Sequence, residues 1–199
     1  MGKMSGYKLI IVSSSHRKES ESSKVAKFLA ERIALLGIYT EDQILIHDLG
    51  ADPLPLWEPG FAYKYAPDIA ECEGLVFILP EWHGMATPAM KNWFLYLNMD
   101  DIAHKPILLC GVSSGQGGQY SVLDIRSFSF KNHRPMYLPE TLLMQGSDAL
   151  SGFVKQTPGR VRCMQKIDYS LRLLDLYIQS LRELRVNLVG IDRPERYGK

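Results

Sequence analysis

The sequence predicts an α/β fold, a three-layer sandwich in which helices cover both faces of a five-stranded parallel sheet. Strand-like and helix-like segments alternate five times along the chain, the signature of βα units stacked around one sheet. The third strand-like run, Gly74-Leu75-Val76-Phe77-Ile78-Leu79, is apolar throughout, as a central parallel strand covered on both faces must be. The last strong element, Val161 to about Leu188, places Val161, Met164, Ile167, Leu171, Leu174, Ile178, Leu181 and Leu184 at steps of three or four. That spacing makes one apolar stripe of a covering helix with a basic, solvated opposite face.

The first strand is Tyr7–Val12, rich in β-branched residues. A hydroxyl-rich stretch, Ser13 to Ser23, follows, and Val25, Phe28, Leu29, Ile33 and Leu36 then recur at helical spacing until Gly37 ends the helix. Gln43–Leu49 is the second strand. Ala51–Tyr65 carries Pro53, Pro55 and Pro59 among Trp57, Phe61, Tyr63 and Tyr65. Three prolines fix φ and remove donors, so this is neither helix nor central strand. An aromatic loop of that length is expected to act as a lid, a subunit contact or a binding wall. Pro67–Glu73 predicts a short helix before the third strand, and Pro88 to about Met99 a helix after it, with proline in a tolerated early position. Pro106–Val112 is the fourth strand, Tyr120 to about Phe128 a helix, and Arg134–Leu138 a short fifth strand; Leu142–Gly159 reads as loop.

Length and charge narrow the function. One domain spanning 1–199, with its core at about 7–138 and a C-terminal helix at about 161–188, is the simplest organisation for 199 residues. A net charge of +1 and the lack of a basic run argue against a nucleic-acid or anionic-membrane partner. Three widely spaced cysteines, Cys72, Cys110 and Cys163, suggest neither a disulfide framework nor a zinc site. Without the apolar core of a secretion signal at residues 1–6, the expected compartment is the cytoplasm.

In a parallel sheet, ligands bind beyond the C-terminal ends of the strands. Three unusual loops emerge there, after strands one, three and four. Ser13–Ser23 pairs serine hydroxyls and Arg17 with a helix N-terminus, whose unpaired N–H groups and positive dipole end attract a phosphate. The same serines also suit a plain capped turn, and the convergence of the three loops favours the phosphate site.

Together the loops resemble the NADPH-dependent FMN reductase family, a branch of the flavodoxin-like fold. The family's Gly-Ser-x-Arg-x-x-Ser is matched by Ser14-Ser15-His16-Arg17-Lys18-Glu19-Ser20, with Ser14 in place of glycine. Its Pro-Glu-Tyr-Asn/His-Gly element, closing in Lys-Asn, is matched by Pro80-Glu81-Trp82-His83-Gly84 and Lys91-Asn92, with Trp82 for tyrosine. A Ser/Gly-rich turn with a glycine pair is matched by Ser113-Ser114-Gly115-Gln116-Gly117-Gly118. The likeness runs from strand one through about residue 138.

The resemblance implies strand order 2-1-3-4-5 and the cofactors FMN and NAD(P)H. By position, Ser15, Arg17, Ser20 and Ser22 would contact the FMN phosphate. Pro80, Glu81, Trp82, His83, Gly84 and Met85 would wrap the isoalloxazine, with Gly84 letting the backbone approach a flat ligand. For Trp82 core packing is the alternative, and for His83 a turn-stabilising role. Ser113, Ser114, Gly115 and Gly118 would form the rim, while Lys91 and Asn92 fix the loop. The implied function is ping-pong hydride transfer from NAD(P)H to FMN and on to a quinone, azo compound, free flavin or similar acceptor. The implied assembly is a homodimer or homotetramer. No side chain stands out as a catalytic acid or base. A flavin-binding electron carrier or redox sensor is the rival function; carriers of flavodoxin type are typically acidic with a Thr-rich phosphate loop, unlike this chain.

Overall fold

The computed structural model describes residues 8–146 and 158–191. Five parallel strands, β1 (Leu9–Ser13), β2 (Ile44–Asp48), β3 (Gly74–Pro80), β4 (Pro106–Ser113) and β5 (Met136–Gln145), form one sheet. Its order is β2-β1-β3-β4-β5, as the resemblance implied. The helices are α1 (Glu21–Leu35), α2 (Ala66–Glu71), α3 (Pro88–Leu95), α4 (Gln119–Phe128), the single turn α5 (Phe130–His133) and α6 (Pro158–Leu188). A 3₁₀ turn at Glu41–Gln43, unforeseen in the sequence, leads into β2.

Alternation along the strands sorts the core into two layers. Leu9, Ile11, Val76, Ile78, Leu108 and Cys110 face α1 and α6, meeting Val25, Leu29, Ile33, Ile167, Leu171, Leu174 and Ile178. Ile10, Val12, Leu75, Phe77, Ile107 and Leu109 face the other side, against Ile69, Met90, Trp93, Phe94, Val122 and Ile125. Cys110 is plain core, and burial pushes its thiol up to about 12.

Several boundaries differ from the sequence reading, each for a physical reason. β5 does not stop at Leu138 but runs to Gln145, so Leu142–Gln145 is strand rather than loop. Pro139 disguised it: the register slips between the Ile107–Tyr137 and Leu109–Thr141 pairs, and at this irregular point of an edge strand a residue without an N–H is tolerated. The rest of the expected loop, residues 147–157, lies outside the described residues. α3 ends at Leu95, not Met99, because Asn98 turns back on Asp101, whose carboxylate accepts the Asn98 N–H at 2.8 Å. α6 buries only the middle of its stripe, and Val161 and Leu184 are exposed. Among the described residues no helix is long and apolar enough to cross a membrane.

Candidate flavin site

The loops after β1, β3 and β4 do meet at the C-terminal edge of the sheet. They enclose a cavity of about 140 Å³, lined by Ser15, Arg17, Ser20, Ser22, Pro80, Glu81, Trp82, Ser113 and Ser114 from the sequence-predicted set, and by Glu21, Val112 and Gly146 besides. Gly146 escaped the sequence reading because β5 was cut short. Its N–H donates to the carbonyls of Ser113 and Gly115 at 3.0 and 3.1 Å, so the end of β5 closes the cavity wall.

The Ser loop is built to present donors. Ser20 caps α1, its hydroxyl accepting the Ser23 N–H at 3.1 Å, and Ser15 accepts the Arg17 N–H at 3.2 Å. As acceptors, both hydroxyls keep their protons for a ligand. The side chains of Arg17 and Ser22 have no hydrogen-bond or ion-pair partner among the described residues, and the N–H groups of Glu21 and Ser22 have no partner within the helix. Of the two acids lining the cavity, Glu21 pairs with Lys24 at 2.6 Å and Glu81 accepts the N–H groups of Gly118 and Tyr120. A guanidinium, hydroxyl protons and a helix N-terminus converging on one cavity fit the phosphate of FMN.

Below the loop, Ser14 stands where the family has glycine, and its side chain is buried, donating to the Ile78 carbonyl at 2.9 Å. Thr87, the N-cap of α3, donates to the Ser14 carbonyl at 2.6 Å and accepts the Met90 N–H, locking the first loop to the third strand's helix. His16 reinforces this lock, its Nε2 accepting the Ala89 N–H at 3.2 Å. Gly50, unnoticed in the sequence, is a contact point: a Cβ there would come within 2.3 Å of the Arg17 carbonyl oxygen.

Trp82 is half-buried, with His16 at 5.6 Å between ring centroids and the Arg17 guanidinium carbon 5.7 Å from its ring. It therefore joins the first and second loops at the cavity wall rather than packing in the core. Trp82 and Met85 exchange both backbone hydrogen bonds, each 3.1 Å, and between them His83 (φ +50°) and Gly84 (φ +73°) make a tight two-residue turn. Both central φ values positive is the requirement of a type I′ hairpin turn. Nothing lies within 4 Å of a Cβ built on Gly84. Its positive φ is one that glycine adopts freely, and the space beside it is open. His83, Gly84 and Met85 are exposed at the hairpin and do not line the cavity.

Gly115 and Gly118 also fall outside the lining. Gly118 packs on β4, where a Cβ on Gly111 would lie 2.2 Å from the Gly118 carbonyl oxygen, and its N–H is taken by the Glu81 carboxylate at 2.7 Å. Lys91 pairs with Asp124 at 2.9 Å, and that same Asp124 oxygen accepts the Ala86 N–H, so Lys91 does help hold the hairpin loop. Asn92 holds a different loop, donating to the Pro55 carbonyl at 2.6 Å and accepting the Trp57 N–H at 2.9 Å. Among the described residues no group of three His, Cys, Asp or Glu is placed to hold a metal.

The chain is 24% identical to an NADPH azoreductase from Bacillus sp. (strain OY1-2), over 73% of this chain and 80% of that protein. An oxidoreductase structure from Corynebacterium diphtheriae superposes with a TM-score of 0.68 at 12% identity, covering 87% of this chain and 97% of that one. An archaeal flavodoxin superposes at 0.54 with 11% identity, covering 87% and 98%. These two likenesses establish the flavodoxin-like fold. The model of the NADPH-dependent FMN reductase family matches residues 7–148, past the point near 138 where the sequence motifs give out, and the chain therefore belongs to that family of oxidoreductases, whose cofactors are FMN and NAD(P)H.

Proposed function

We propose that the protein is an FMN-dependent NAD(P)H reductase of small acceptors (quinones, azo compounds, free flavin), alternating between nucleotide and acceptor at one site. The observation that supports this most is the single cavity joining the Ser loop, the Trp82 loop and the Ser113 turn. Bound FMN would supply the two-electron chemistry, and the protein's part is position and electrostatics. Arg17 and the hydroxyls of Ser15, Ser20 and Ser22 hold the phosphate. Pro80 to Met85 flank the isoalloxazine, and Ser113, Ser114 and the glycines Gly115 and Gly118 make the opposite rim. Exposed Trp57 and Phe61 on the proline loop cover the acceptor, contributed from a neighbouring copy of the chain.

The same reading includes a single FMN-binding domain acting in the cytoplasm, in line with free thiols at Cys72, Cys110 and Cys163, without a membrane or nucleic-acid partner. It also includes a homodimer or homotetramer. Leu95, Leu123, Phe128 and Phe130 are 51%, 57%, 40% and 58% exposed on α3, α4 and α5. Exposed apolar side chains of this size suit an association surface, and light scattering on the purified protein measures the oligomer.

Anaerobic mixing of the FMN-loaded protein with NADPH, then with a quinone or azo dye, tests the reductase reading. The yellow colour should bleach within seconds and return on adding the acceptor. A bound flavin that NADPH and NADH both leave oxidised means an electron carrier or sensor instead.

A further inference from the structure

Two carboxylates fasten the Trp82–Met85 hairpin to α4, one on each side of it. Glu81, just before the hairpin, accepts the N–H groups of Gly118 and Tyr120 on Oε2 at 2.7 and 2.9 Å. Asp124, in the middle of α4, accepts the N–H of Ala86, just after the hairpin, at 3.0 Å. Lys91 holds that Asp124 oxygen from α3 at 2.9 Å. Both carboxylates receive charge-assisted bonds, stronger than those between neutral groups. The hairpin between them is closed by its own two backbone bonds, so the segment is a rigid turn clasped at its two feet.

The facing turn is fixed by the same parts. A Cβ on Gly117 would sit 2.6 Å from Glu81 Oε1, so the carboxylate occupies the space a larger residue would need. On the carbonyl side, Gln145 from β5 donates Nε2 to the carbonyls of Gln116 and Gly117 at 2.6 and 2.8 Å. Glu81 therefore sets the separation of the two loops that bound the cavity, and Asp124, outside the cavity lining, sets the tilt of one of them.

We propose that Glu81 and Asp124 are positioning residues that gauge the cleft for the isoalloxazine ring; this rests on the FMN reading. For Glu81 it replaces a direct contact with a brace, since its Oε2 is already committed to two backbone donors. Asp124 carries no motif, and neither composition nor spacing distinguishes it.

The test compares FMN with riboflavin, which lacks the phosphate, on the wild type and on Asp124→Ala, Glu81→Gln and Arg17→Ala. A gauge for the ring predicts that Asp124→Ala weakens both flavins by the same factor, about tenfold, or about 1.4 kcal/mol. It also predicts that the absorption bands of bound FMN move toward those of free FMN. Glu81→Gln, which can keep one accepting oxygen, should show the same change in smaller measure. Arg17→Ala should weaken FMN alone and leave the bound-FMN bands unmoved. Should Asp124→Ala fail to fold by circular dichroism, Asp124→Asn carries the test, with a smaller equal loss on both flavins expected. Unchanged riboflavin affinity and unchanged FMN bands in folded Asp124 variants overturn the proposal. A wild type that binds neither flavin overturns the FMN reading instead.

Discussion

The hydroxyl of Tyr63 lies 2.8 Å from Nδ1 of His47, and the Trp93 indole N–H donates to the same oxygen at 2.7 Å. Tryptophan only donates, so the Tyr63 oxygen accepts the indole N–H while sharing a proton with His47 Nδ1, and the buried Nε2 of His47 has no hydrogen-bond partner among the described residues. Burial pushes His47 down to about 4 and pushes the Tyr63 hydroxyl up. Asp48, Asp52, Lys64 and the Tyr65 ring, 4.2 Å away between centroids, complete its surroundings.

The pH consequence has a definite sign. Between 6.5 and about 4 the unfolded chain binds a proton at His47 that the folded chain refuses. Stability is therefore full above 6.5 and is lost on acidification, by up to roughly 3 kcal/mol. Denaturant titrations at several pH values should show this fall, and His47→Gln should flatten it by comparison. Parallel pH profiles for the two proteins would mean that His47 is not the group responsible. Tyr63→Phe, which orphans both the indole N–H and Nδ1, should cost about 1–3 kcal/mol at neutral pH.

Asn92 holds the proline loop by two backbone bonds, and Tyr96 adds its hydroxyl to the Pro55 and Leu56 carbonyls at 3.3 and 3.1 Å. Asn92→Ala should leave α3 and the sheet intact but free the loop. Limited proteolysis should then cut within residues 53–61 several times faster than in the wild type, with the melting temperature lowered by only a few degrees. Equal cleavage rates would show the loop is held elsewhere.

Gly50 touches the Ser loop from below, 2.3 Å from a would-be Cβ to the Arg17 carbonyl. A backbone oxygen cannot yield as a flexible side chain can, so Gly50→Ala must displace the loop. FMN affinity should fall at least tenfold, about 1.4 kcal/mol, while riboflavin, which makes no use of the phosphate donors, should be affected much less. Retained FMN affinity in titrations of that variant would mean the loop accommodates the methyl group elsewhere.

What the sequence showed was what local pattern encodes. The apolar runs of β1 and β3 and the helix stop at Gly37 are each decided within a few residues. The cavity's principal residues were also legible, because the three loops carry their chemistry in contiguous motifs. Contacts made across the chain were not. His47, Tyr63 and Trp93 are separated by 16 and 30 residues, and nothing at any one of them announces the others. Pro139 hid half of β5, since a proline reads as a strand's end unless the edge position and irregular register are known. Gly84 and Gly118 also have backbone roles, a positive φ at each and the packing of Gly118 on Gly111, that the motifs alone did not announce.

The central claim is that the Ser15–Ser22 loop, the Trp82 loop and the Ser113 turn hold FMN. Titrating FMN into the apoprotein and following flavin fluorescence tests it most directly. The account predicts saturable binding of one FMN per chain, weakened at least tenfold by Arg17→Ala, or about 1.4 kcal/mol. FMN fluorescence that stays unchanged, or binding that is indifferent to Arg17, would contradict it.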